Sequence, residues 1–227
     1  MKTKKVFYTE LAYVFGVLIL ALGTTLMERA DFGMSMVTAP AYVIHLRVSR
    51  DLPRYTFGTS TYVFQAFLLI LLSLIVRKFK KGYLFSFVTA VIFGVILDLF
   101  ISLFAGLPGT LPFRAVYYML GMVFCSVGVS LLFHTYITPE AYELFVKEIA
   151  ETFRLDSAKV KTVYDISSCL LSVILSFAFF GFGHFEGVKL GTFFCALING
   201  QMIGICSRFW ESRFEFTDGL PLRKYFE

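Results

Sequence analysis

The chain has 227 residues, of which 57% are hydrophobic and only 16% charged, against roughly 25% charged in an ordinary soluble domain. With a mean hydropathy of +0.74, too little polar side chain is present to clothe a core of this size, which excludes a soluble globular protein. The formal net charge of +5 is dispersed at the ends of apolar runs, which excludes a nucleic-acid surface and fits the way membrane proteins place their cations.

The chain opens with "MKTKKVFYTELAYVFGVLILALGTTLM". A basic start followed by an apolar stretch suggests a signal peptide. The stretch is long, however, lacks an A-x-A site, and is followed by five more apolar runs, so it reads as a first transmembrane helix over roughly 11–28. A spanning helix needs about 20 apolar residues. Further runs that qualify lie at 59–77, 83–104, 115–134, 162–182 and 189–209. Their hydrophobicity is continuous rather than alternating, which argues against barrel strands. The expected fold class is therefore an all-α, polytopic membrane protein with six transmembrane helices.

Two connections are longer than a turn. Residues 34–48, "MSMVTAPAYVIHLRV", are apolar but too short to cross. Residues 139–154, "PEAYELFVKEIAETFR", are amphipathic: Tyr142, Phe145, Ile149 and Phe153 share one helical face, and Glu140, Glu143, Lys147 and Glu151 the other. Each is expected to be a short helix, either lying in the interface or dipping back into the protein. Residues 214–227 read as a cytoplasmic tail.

With the N-terminus placed in the cytoplasm, 15 of the 21 basic residues fall on the inner side, among them Lys2, Lys4, Lys5, the "RKFKK" turn from Arg77, Lys161 and Arg223. This bias puts both termini inside. The two halves also match. "YVFGVLILALGTTL" from Tyr13 aligns with "YMLGMVFCSVGVSL" from Tyr118, setting Gly16 and Gly23 on Gly121 and Gly128. "PAY" at Pro40 recurs as "PEAY" at Pro139, and Val63-Phe64-Gln65 aligns with Val163-Tyr164-Asp165. Each half therefore reads as span, short helix, span, span: repeat one over 1–106 and repeat two over 107–213. Three spans is an odd number, so the second repeat must be inverted relative to the first. Inverted repeats recur in secondary transporters, with the site near the midplane between the halves.

The sequence resembles the YitT/YczE group of bacterial multi-pass membrane proteins. The resemblance rests on Ala30-Asp31-Phe32-Gly33 closing the first span, Phe57-Gly58-Thr59 opening the second, Gly94 and Asp98 in the third, and Pro139-Glu140 after the fourth. The proline that usually follows the glycine in that group is replaced here by Met34-Ser35-Met36. The resemblance implies a six-span protein of the bacterial plasma membrane and no particular substrate.

Polar residues under the lipid carry the functional expectation. An acid at the centre of a spanning helix costs about 2.5–3.5 kcal/mol on insertion scales, so it should face the bundle interior or a wet cavity. Asp98 lies about 24 Å along its span from Gly82 at 1.5 Å per residue, in the outer half but still at lipid depth. Asp165 is about one turn into the fifth span, with its repeat partner Gln65 at comparable depth in the opposite half; Asn199 is an amide near the middle of the sixth span, and Glu140 is the acid that starts the second short helix. These five are the expected substrate- or ion-binding residues. The rival reading for Asp98 is a structural hydrogen bond to a neighbouring helix, and for Asp165 a charge near the start of its helix, four residues after Lys161. Gly200 and Gly204 form a small-xxx-small pattern expected to pack against another helix, and Ser168, Ser172 and Ser176 form a stripe expected to glue helices together. Cys125, Cys169, Cys195 and Cys206 read as small buried hydrophobes. No metal-ligand spacing, nucleophile elbow, phosphate loop or dinucleotide fingerprint is present, so neither an enzyme nor a cofactor is expected. The leading expectation is a small secondary transporter or facilitator. The acids, with no basic residue expected at mid-depth, point to a small cationic or zwitterionic solute, with proton coupling available. The alternatives are a substrate-binding subunit with an energising partner protein, or a membrane scaffold, with homo-oligomerisation compatible with each.

Overall fold

The computed structural model describes residues 5–221 and 223–225; Lys2 and Lys4 of the charge count lie outside the described residues. Among the described residues are eight α-helices: α1 Thr9–Ala30, α2 Ala39–Asp51, α3 Phe57–Val76, α4 Lys81–Leu103, α5 Leu111–Leu132, α6 Ala141–Phe153, α7 Ser157–Phe180 and α8 Leu190–Arg213. Six of them are long and apolar enough to cross a bilayer. α2 and α6, at 13 residues each, reach only about 20 Å at 1.5 Å per residue and cannot span. The chain is a multi-pass, all-α membrane protein, as its composition requires.

Local chemistry sets several ends. Thr56 opens α3 with its side chain accepting from the Thr59 N–H, and Asp156 opens α7 by accepting from Lys159 N–H. α1 stops where Asp31 turns left-handed at φ 51°, its N–H returning to the carbonyls of Met27 and Glu28. The first short helix begins at Ala39, later than expected, because Pro40 suits a first turn; residues 34–38 form the loop leading to it.

The two halves meet along α1 and α5, which run antiparallel in close contact. Gly16 of α1 lies against Gly128, and Gly23 against Gly121. The sequence alignment pairs Gly16 with Gly121 and Gly23 with Gly128, so the contacts are reciprocal, as across a two-fold axis. A Cβ on Gly23 would fall 2.6 Å from the Cys125 backbone nitrogen and 2.9 Å from the Gly121 carbonyl. Only glycine lets these backbones come so close. The other elements follow the same relation: α4 packs on α1 as α8 packs on α5, and α2 packs on α7 as α6 packs on α3. The boundary expected at 106/107 falls in the connection from α4 to α5.

One pair breaks the relation. α3 and α4 pack closely where a Cβ on Gly94 would lie 2.7 Å from the Gly58 carbonyl, whereas α7 and α8 have no comparable contact among the described residues. Among the described residues, the packing expected of Gly200 and Gly204 is absent, since a Cβ at either would meet nothing within 4 Å.

The expected tail opens with a strand. β1 (Lys5–Tyr8) pairs in parallel with β2 (Phe214–Thr217), so the start of α1 and the end of α8 lie on the same side of the bundle. The Glu10 carboxylate fastens the chain just beyond β2, accepting from Gly219 N–H at 3.0 Å, Leu220 N–H at 2.9 Å and the Tyr136 hydroxyl at 2.7 Å.

Candidate functional site

α6 does not lie flat on the surface. Gln65 stands near the middle of α3, about 12 Å from its start at 1.5 Å per residue, and is fully buried. Its carbonyl accepts from the Ala141 N–H at 2.9 Å and its amide donates to Glu140 Oε2 at 3.0 Å. The segment before α6 is also tied to α4: the Ser86 and Thr89 hydroxyls donate to the carbonyls of Pro139 and Thr138 at 2.8 and 3.1 Å. The N-terminus of α6 thus dips into the bundle as far as mid-helix. Of the polar face expected of α6, Lys147 and Glu151 are exposed and Glu143 is half-buried, whereas Glu140 is buried. Glu140 and Glu148 are buried at 5% and 6% exposure, Glu148 with its carboxylate on Lys80 Nζ at 2.7 Å, while Phe153, expected inside, is exposed.

Glu140 opens onto a cavity of ≈ 300 Å³. Its walls come from both halves: Leu20 and Thr24 of α1, Cys125 and Val129 of α5, the start of α6, Lys161 and Asp165 of α7, and Cys195, Asn199 and Gly200 of α8. Ser35 to Thr38, the loop before α2, complete it. Both short helices therefore begin at this cavity, one from each half. Pro139 also borders a second hollow of ≈ 780 Å³ beside Lys80, Lys81 and Lys147.

Of the expected site residues, Glu140, Asp165 and Asn199 line the cavity and Gln65 supports Glu140 from behind. Asn199 is oriented by the Ser126 hydroxyl, which donates to its Oδ1 at 2.9 Å. Asp98 lies elsewhere. Its carboxylate accepts from the Thr56 hydroxyl at 2.6 Å and the Gly58 N–H at 2.8 Å, so it fastens α4 to the start of α3, where a helix N-terminus favours an anion. The serine stripe faces inward; Ser176, for example, donates to the His184 carbonyl and accepts from Glu186 N–H.

Two charged residues join the site that sequence reasoning did not place there. Lys161 Nζ sits 3.3 Å from Glu143 Oε1 and 3.2 Å from Asp165 Oδ1. A basic group is therefore present at the cavity, contrary to expectation. The i,i+4 spacing of Lys161 and Asp165 was the available signal; the third member, Glu143, comes from α6 and leaves no local trace. Burial pushes the Glu140 carboxyl up, to about 8, with the Gln65 hydrogen bond opposing and the Glu143 charge adding. No group of three or more metal-ligating side chains is gathered among the described residues.

The model of a family of unknown function, DUF6198, matches residues 7–208. The chain belongs to that family. The match covers α1 through most of α8, and with them every residue lining the cavity, and ends before β2. No curated protein and no solved structure matches the chain. The geometry of this DUF6198 protein therefore has to carry its functional reading.

Proposed function

We propose that this DUF6198 protein is a small secondary transporter or facilitator for a small cationic or zwitterionic solute. The observation that carries the proposal is the cavity itself, a volume of ≈ 300 Å³ at the seam between two antiparallel halves, where both short helices begin and ionisable side chains converge. Such a volume is at the lower end for small-molecule sites, and a midplane site between inverted repeats is the transporter arrangement. Three acids with one lysine favour a positive group on the solute. Lys161 is already held by Glu143 and Asp165, so the acids meet the positive group that a cation and a zwitterion share. No residue is assigned a catalytic role.

The shared side of the two chain ends and the basic bias support cytoplasmic termini, and the YitT/YczE resemblance supports a bacterial plasma membrane. Uptake of a labelled panel of amines, betaines and amino acids into proteoliposomes tests the proposal. Transport should be lost in Asp165→Asn and Asn199→Ala; uptake unchanged in both removes the site assignment. A scaffold, by contrast, requires a dry interior. A cysteine placed at Asn199 in a cysteine-free background should react with a water-soluble thiol reagent if the cavity is a solute site, and stay inert if the protein is a scaffold.

A further inference from the structure

Glu140 is the least compensated group at the cavity. Oε2 accepts one hydrogen bond, from the neutral amide of Gln65, and Oε1 is buried with no hydrogen-bond partner. Lys161, the one basic side chain among the described residues lining the cavity, is engaged by Glu143 and Asp165. The groups that face Glu140 come from five elements. α6 brings Glu143 and the Tyr142 hydroxyl, and α7 brings Lys161 and Asp165. α1 brings the Tyr13 hydroxyl, α5 the Cys125 thiol, and α3 the neutral Gln65. With all four charged side chains ionised, Glu140, Glu143, Asp165 and Lys161 would leave two uncompensated negative charges in a largely apolar hollow. Desolvation makes that costly, and protonation of one carboxyl is the ordinary relief.

We infer that Glu140 holds a proton while the cavity is empty and releases it when the positively charged nitrogen of a solute takes its place, so that one position is occupied by a proton or by the solute but not by both. The inference rests on the transporter proposal and names its coupling group. The Glu140 O–H bond breaks, the proton leaves to water through the open side of the cavity, and the cationic nitrogen lies against the vacated carboxylate. Movement of solute one way then returns a proton the other way. The elevated proton affinity that burial gives Glu140 places the exchange near neutral pH. Linkage fixes its sign: one proton released per solute bound makes affinity rise about tenfold per pH unit below about pH 8.

Two measurements on purified protein test this. Infrared difference spectroscopy of the ligand-free protein, titrated through neutral pH, should show a carboxylic-acid carbonyl band that fades as pH rises. The band should be missing in Glu140→Gln and kept in Asp165→Asn, each checked for an intact melting transition. If wild type lacks that band at pH 7, or Glu140→Gln retains it, the inference is overturned whatever the uptake assays give. The second measurement adds ethanolamine, choline, glycine betaine and γ-aminobutyrate to weakly buffered protein containing a pH dye. Wild type should release about one proton per probe bound, with the band lost in step, whereas Glu140→Gln, which lacks the carboxylate, should bind the cationic probes more weakly and release none. A band that no probe disturbs overturns the exchange, while proteoliposome uptake still decides separately whether the cavity transports.

Discussion

Replacing Gln65 by leucine tests how α6 is held at mid-depth. The substitution keeps the approximate volume and removes both hydrogen bonds, to Ala141 N–H and Glu140 Oε2. Gln65 and Ala141 are both fully buried, so neither water nor a headgroup can replace the lost partners. Interhelical hydrogen bonds in membrane bundles average about 0.6 kcal/mol each, which sets a floor near 1 kcal/mol for two. Leaving a buried group unsatisfied costs about 1–3 kcal/mol, and two such groups raise the expectation to about 2–6 kcal/mol. At about 2–4 °C per kcal/mol for a chain of this length, the melting temperature should fall by roughly 4–24 °C. Thermal unfolding in detergent, followed with a thiol-reactive dye, reads this directly, because Cys125, Cys169 and Cys195 are buried. Gln65→Glu provides the contrast. It keeps an acceptor for Ala141 N–H and can share a proton with Glu140, so its loss should be small in acid and grow as pH rises. A Gln65→Leu protein melting within about 1 °C of wild type, or a Gln65→Glu protein equally weakened at every pH, would refute the clamp.

Asp98→Asn should lower the melting temperature by the equivalent of about 1–3 kcal/mol, since hydrogen bonds to a charged group are the stronger kind, while leaving any uptake measured in proteoliposomes unaltered; loss of uptake at unchanged stability would return Asp98 to the solute path. Because the folded-state pKa of Glu140 is raised from 4.5 to about 8, the folded protein binds more protons than the unfolded chain between those values, and this group's contribution to stability falls as pH rises through the window. Melting curves should therefore show wild type losing ground to Glu140→Gln from about pH 5 to pH 8, and parallel curves would contradict the burial. Gly23→Ala drives a Cβ into backbone at 2.6 Å, whereas Gly82→Ala meets nothing within 4 Å; size-exclusion profiles should show the first disrupted and the second normal.

The six spans were legible because each is a long uninterrupted apolar run, and the duplication because glycines at the α1–α5 contact had to recur at one spacing. The cavity was legible only in part. Glu140 stood out as the acid that starts the second short helix, and Asp165, Asn199 and Gln65 as polar residues where lipid would penalise them. Asp98 stood out for the same reason, yet its partners Thr56 and Gly58 lie about 40 positions away in the chain, and no local pattern separates a fastening acid from a solute-binding one. Helical periodicity assumes water on one side, and the polar face of α6 departs from it at its start. A helix whose first turn dips into the bundle is surrounded there, so Glu140 is buried; Glu148, two turns on, is buried against Lys80 and Tyr83. Glu143 was invisible as a partner of Lys161 for the same reason: the pairing exists only once α6 has dipped.

The unequal closure of the two halves has a consequence of its own. Gly58 and Gly94 bring one outer pair of helices together, while the corresponding pair stands apart beside the hollow, with Gly200 and Gly204 facing vacancy. One folded chain thus displays, side by side, a shut and an ajar version of the same building block. A side chain larger than hydrogen at Gly200, which lines the hollow, would therefore occupy open space and narrow the hollow without displacing another helix.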